Sequence, residues 1–148
     1  MTDNPIPVSG EKLISRRNRW NYKLGDYPLV NGTIGYSLYD IPLCDIDYRN
    51  KTFQMDFQPN YIKFDYYDNM TCDLDFLMQP FGDKEVPHYR NFNLMEHASA
   101  ISTHLSQGAQ FKSVLFIPSP TKHTEYEKKI NYTAASRAEK ELFILIDA

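Results

Sequence analysis

Three Asn-x-Thr triplets begin at Asn31, Asn50 and Asn69, each 19 residues after the last, and this regular spacing constrains the fold more than any other feature of the chain. Counting three, five and seven residues on from each Asn gives Ile34, Tyr36 and Leu38, then Phe53, Met55 and Phe57, then Cys72, Leu74 and Phe76. All nine are apolar or aromatic. The positions between them are Gly35, Ser37, Gln54, Asp56, Asp73 and Asp75. That period of two belongs to strands with one buried face. Asn tolerates the left-handed backbone of a tight turn, so the repeat predicts three tandem β-hairpins over about residues 26–82.

The apolar pattern also selects registers, because a one-residue slip turns a strand over. A two-residue turn at Asn31-Gly32 sets Leu29 opposite Ile34 and Tyr27 opposite Tyr36. The same turn at Asn50-Lys51 sets Tyr48, Ile46 and Cys44 opposite Phe53, Met55 and Phe57. In the third block a three-residue turn of Asp68, Asn69 and Met70 sets Tyr66, Phe64 and Ile62 opposite Cys72, Leu74 and Phe76. The three triplets and Asn131-Tyr132-Thr133 also match the glycosylation acceptor pattern, but turn chemistry already accounts for the first three.

Beyond residue 83 the pattern changes. Leu94, Ala98, Ile101 and Leu105 form one helical stripe closed by Gly108, which predicts a helix over about 93–107. Residues 110–118 read as a buried strand stopped by Pro118. Thr124 and Glu127 make a capping box that starts a second helix over about 124–140. Residues 141–147 are either that helix's last turn or, as their apolar β-branched run favours, a central strand. The expectation is an α+β fold: an antiparallel meander of three hairpins, one or two C-terminal strands, and two helices packed on one face. The 148 residues suit a single domain, 1–148, with residues 1–20 as a candidate N-terminal arm.

A net charge of −3 and a pI near 5.8 argue against a general nucleic-acid binder held by phosphate contacts, so direct nucleic-acid binding is not expected. The longest apolar run, 142–146, is far short of a membrane span, and residues 1–10 lack a signal pattern; a cytoplasmic or virion-associated protein is expected. Cys44 and Cys72 form no metal-type pair and read as buried reduced thiols, a disulfide being the lesser alternative. No cofactor is expected. His97 and His104 fall on the expected first helix two turns apart, too far to share a metal ion, and each reads better as a structural hydrogen-bond partner than as a base. His88 and His123 fall in expected loops.

Charge is segregated. Residues 40–83 carry nine Asp against three basic residues. The registers above set Asp56 opposite Asp45 and Asp73 opposite Asp65, with Asp47 and Asp75 on the same face. Opposed like charges destabilise a sheet mildly, so the face is either a solubilising surface or a docking site for a basic partner; divalent-cation coordination is a third reading. Near the N-terminus, Arg16, Arg17 and Arg19 stand beside Trp20. They read as an edge segment with Trp20 in the core or as an arm touching nucleic acid or another subunit. The expected function is a non-catalytic interaction or assembly module, such as a viral or phage structural or accessory subunit, with a protein partner that includes copies of itself among the candidates. The alternatives are a monomeric inhibitor or nucleic-acid mimic whose acidic face occupies a basic groove, and a small hydrolase using a helix histidine.

Overall fold

A computed structural model of the chain describes residues 6–80, 84–85, 87, 91–118 and 124–145. The fold is α+β, with mostly antiparallel strand pairing and two helices. The chain, expected to be one domain, divides into two compact units, Met1–Ala100 and Ile101–Ala148.

In the first unit, strands β1 (Lys12–Ser15), β4 (Ile34–Ser37), β5 (Ile46–Asp47), β6 (Thr52–Pro59), β7 (Tyr67–Asp73) and β8 (Met95–His97) form one sheet in the order β5-β6-β4-β1-β8, with β7 also on β6. Strands β2 (Arg19–Leu24) and β3 (Tyr27–Leu29) pair separately, and helix α1 (Leu74–Met78) follows β7 directly. β6 is the hub because its alternation puts Phe53, Met55 and Phe57 on one buried face. Around them close Leu13, Leu29, Ile46, Tyr67, Met70, Cys72, Leu74, Leu77 and Met95. Tyr67 stacks on Tyr22 at 5.2 Å and on Phe57 at 6.5 Å.

The three-hairpin meander is not what forms. The Asn31-Gly32 turn is present, with Thr33 N–H donating to Val30 O at 3.1 Å, but its flanking strands enter different sheets. Leu29 pairs with Arg19 and Ile34 with Ile14, so the turn is a crossover rather than a hairpin. The second block does make a hairpin, β5 to β6, in another register: Ile46 pairs with Phe53 and the loop spans residues 48–51. Lys51, not Asn50, takes the left-handed conformation there (φ 57°), and the Asp47 carboxylate accepts the N–H groups of Arg49 and Asn50. In the third block Asn69 is left-handed (φ 48°) but sits inside β7 as a bulge. The hairpin turn lies earlier, at residues 60–66. Residues 74–78 are helix rather than strand because the buried Asp73 side chain caps them, accepting the Phe76 N–H at 2.9 Å.

The helix expected over 93–107 is absent. Residues 95–97 instead pair with β1, which satisfies their backbone from an unfilled sheet edge, and only a helical turn near 102–108 survives. Gly108 ends it at φ 81°, the role expected of it.

The second unit holds β9 (Phe111–Phe116), α2 (Glu125–Ala135) and β10 (Ala138–Ile144). The Thr124–Glu127 capping box is formed, and α2 stops five residues before the expected 140. Residues 138–144 are strand, parallel to β9. Leu115, Phe143 and Ile144 are exposed, so the described part of this pair is not the buried core strand pair expected. No helix among the described residues is long and apolar enough to cross a membrane.

Candidate functional site

The expected acidic face does not assemble. Asp45 ends a 3₁₀ turn (Leu43–Asp45), Asp47 caps the 48–51 loop, and Asp65 accepts the Tyr66 N–H at 2.9 Å from within the 60–66 turn. Asp56 faces the β7 bulge, Asp73 is buried as the α1 cap, and Asp75 lies half-exposed 3.9 Å from the Lys51 ammonium. Neither Asp56–Asp45 nor Asp73–Asp65 is a strand pair, because the register slip in block two and the bulge in block three move the partners away. All of these carboxylates but Asp45 answer a local N–H group or cation, and Asp45 accepts from the neighbouring Cys44 thiol at 3.7 Å. Two N–H donors from Asn50 and one from Arg49 hold the Asp47 carboxyl below the usual range.

The basic cluster is brought together, on a segment of its own chain. Arg16 ion-pairs with Glu96, whose side chain is almost fully buried. Arg17 donates to Phe92 O at 2.9 Å and to Pro87 O, and Arg19 donates to Asn91 O at 2.9 Å and to the Asn91 side chain. Burial and then Arg19 pull the Arg17 guanidinium below its ordinary value, with Asp73 opposing. β1, inside the segment expected as an arm, is an interior strand of the sheet. Trp20 is 63% exposed on β2 rather than in the core. Cys72 is buried and Cys44 is exposed, and both are free thiols.

The expected histidine arrangement is also replaced. His97 lies on β8 with Nδ1 2.8 Å from the Glu11 carboxylate, and His104 lies in the 102–108 turn with Nε2 3.0 Å from the Tyr126 hydroxyl. They share no helix. His88 and His123 lie outside the described residues.

The second unit contains a positioned arginine that the sequence reading passed over. α2 ends at Ala135, and Arg137 is the last residue before β10. Its Nε donates to Thr133 O at 3.2 Å, Nη1 to Ala109 O at 3.2 Å, and Nη2 to the Ser136 hydroxyl at 3.1 Å. Those bonds use three of the five N–H donors of a guanidinium, leaving two with a fixed aim. The Ser136 hydroxyl in turn donates to Thr133 O at 2.9 Å, and Arg137 O accepts from Phe111 N–H at 2.8 Å. The Gly108 turn, the end of α2 and the start of both strands thus meet around one half-buried cation. The available signal was Ser136-Arg137 at the end of a capped helix, hidden by extending that helix to 140.

The chain matches a model of the UvrD-like helicase C-terminal domain over residues 97–145. It shares its fold with the crystal structure of Pif1 helicase from Candida albicans, at a TM-score of 0.53 and 21% identity over 95% of this chain and 32% of that one. It is also 40% identical over 53 residues to an uncharacterized protein of Methanocaldococcus jannaschii, covering 36% of this chain and 4% of that protein. The chain thus spans about a third of the helicase chain it resembles and a small part of the archaeal relative. These findings overturn three expectations. They point to a helicase-related protein rather than a non-catalytic viral assembly module or acidic-face inhibitor, to an enzyme's partial domain rather than a non-enzyme, and toward nucleic acid rather than away from it. Net charge sums over the whole chain and therefore does not exclude a local face for nucleic acid.

Proposed function

We propose that this chain is part of a nucleic-acid helicase, in which the second unit contributes a piece of the C-terminal domain and Arg137 serves a nucleoside triphosphate. The observation that carries this reading is the family match over residues 97–145, the segment that contains the whole Arg137 cradle. Helicases couple nucleoside triphosphate hydrolysis to movement on nucleic acid, and phosphoryl transfer is catalysed mainly by positioning and charge stabilisation. A guanidinium suits that work: it stays charged, and its planar fork matches phosphate oxygens. Fixing it on two backbone carbonyls and a hydroxyl lowers the ordering cost of meeting a phosphate. Trp20, exposed on β2, offers a ring face for stacking a base in the same reading.

The test is binding of a non-hydrolysable ATP analogue by calorimetry and of a labelled single-stranded oligonucleotide by fluorescence anisotropy. Nucleotide binding weakened about tenfold or more by Arg137→Ala, with oligonucleotide binding that falls as salt rises, is the expected result. Absence of both kinds of binding across a range of salt overturns the reading.

A further inference from the structure

The end of α2 leaves carbonyls without intrahelical partners. Tyr132 O is met by the Ser136 N–H at 2.9 Å and Ala134 O by the Arg137 N–H at 3.2 Å. Thr133 O, between them, is met by side chains: it accepts the Ser136 hydroxyl at 2.9 Å and the Arg137 Nε–H at 3.2 Å. A hydroxyl has one proton, and that of Ser136 is given to Thr133 O. Its oxygen therefore meets Arg137 Nη2, at 3.1 Å, as an acceptor. Thr133 O, Ser136 Oγ and the Nε–Nη2 edge of the guanidinium close one hydrogen-bonded ring.

We propose that Ser136 is the positioning residue for Arg137, a neutral acceptor that sets the direction of the guanidinium and leaves its charge for a phosphate. The proposal rests on the nucleotide reading of Arg137 and takes it one residue further. With Nε and one N–H of Nη2 held in the ring, and Nη1 donating to Ala109 O at 3.2 Å, one N–H remains on each terminal nitrogen.

None of the three acceptors carries a charge. Among the described residues Arg137 has no carboxylate at ion-pair distance: Glu139 is exposed, and the Glu141 carboxylate accepts the Ser113 hydroxyl at 2.6 Å. A carboxylate at position 136 would hold the guanidinium as firmly but neutralise it. A hydroxyl fixes the geometry and keeps the cation available, and a cation with a planar fork is what phosphate oxygens bind. A helix cap alone would need only one donor on Thr133 O. The further bond from Nη2 to Ser136 caps nothing and acts on the direction of the guanidinium alone.

The test titrates the whole chain with a non-hydrolysable ATP analogue by calorimetry and records each variant's thermal midpoint. Ser136→Thr, which keeps the hydroxyl, should bind as the parent does. Ser136→Ala should bind about three- to tenfold more weakly, the range of one hydrogen bond, with the chain fully folded at the titration temperature. In an Arg137→Ala background the same change should cause no further loss, because its effect passes through the guanidinium. Ser136→Asp should bind more weakly than Ser136→Asn, which offers a neutral acceptor of the same size.

Parent-like binding by Ser136→Ala overturns the proposal and leaves the helicase reading standing. So does an equal further loss in the Arg137→Ala background, or binding that falls only in step with the folded fraction, since either describes a helix cap. Binding by Ser136→Asp as tight as that of Ser136→Asn overturns the neutral acceptor. A parent chain that binds no nucleotide fails the helicase reading itself, and the proposal falls with it.

Discussion

The Asp56 carboxylate accepts the backbone N–H of Asn69 at 2.7 Å, across the point where β7 gains one residue on β6. The left-handed Asn69 lets Tyr67 and Met70, three residues apart, both reach the core face while Met55 and Phe57 oppose them two apart. Asn69→Gly, which accepts that backbone, should leave stability nearly unchanged. Asn69→Val, whose branched side chain resists it, should cost about 1–2 kcal/mol, and Asp56→Ala about 1 kcal/mol. Urea denaturation of the three variants checks the order; equal losses for Gly and Val would mean that the bulge is not what Asn69 supplies.

Arg16 and Glu96 join the end of β1 to β8 through an ion pair that is nearly closed to water on the Glu96 side. Removing one partner strands the other, so Arg16→Ala or Glu96→Ala should cost about 3–5 kcal/mol, and the double variant should cost less than the sum of the two. A double-mutant cycle by chemical denaturation reads the coupling. Additive losses would show two independent side chains.

Gly35 sits between β1 and β6, and a Cβ there would overlap the Gln58 carbonyl oxygen and lie 2.7 Å from the Phe57 ring. Because the carbonyl belongs to a paired strand, it has little room to move. Gly35→Ala should lower stability by about 1–3 kcal/mol despite the better strand propensity of alanine. A thermal midpoint at or above that of the parent chain would show that the strands separate freely.

Burial drives the Cys72 thiol well above its ordinary value, with Asp73 adding to the shift, whereas Cys44 is exposed. A thiol reagent at pH 8 should therefore modify one cysteine in the folded chain and two after denaturation. A raised folded value means that stability is intact below the unfolded thiol value and declines as pH rises above it. Alkaline titration of unfolding should show that decline, reduced in Cys72→Val. Rapid modification of both thiols in the folded chain would contradict the buried position.

Much of the first unit's core was readable from the 19-residue repeat. Seven of its nine apolar positions are buried, namely Ile34, Phe53, Met55, Phe57, Cys72, Leu74 and Phe76, and only Tyr36 and Leu38 are not. Gly32, Asn69 and Gly108 take the left-handed backbone, as their chemistry suggested. What failed was pairing: Leu94, Ala98, Ile101 and Leu105 make a helical stripe on paper, yet residues 95–97 complete a sheet. At the candidate site, Thr124 and Glu127 were legible as a cap, but Arg137 was not.

The sequence by itself determined most of the first unit's buried apolar positions and the left-handed residues Gly32, Asn69 and Gly108, because side-chain apolarity and left-handed tolerance are local properties that survive in any fold. Only the tertiary structure decided which strands meet, whether Asn69 is a turn or a bulge, and that Arg137 is held by carbonyls from Ala109 and Thr133. Those outcomes depend on backbone donors and acceptors finding partners far along the chain, and every peptide unit offers the same donor and acceptor whatever its side chain.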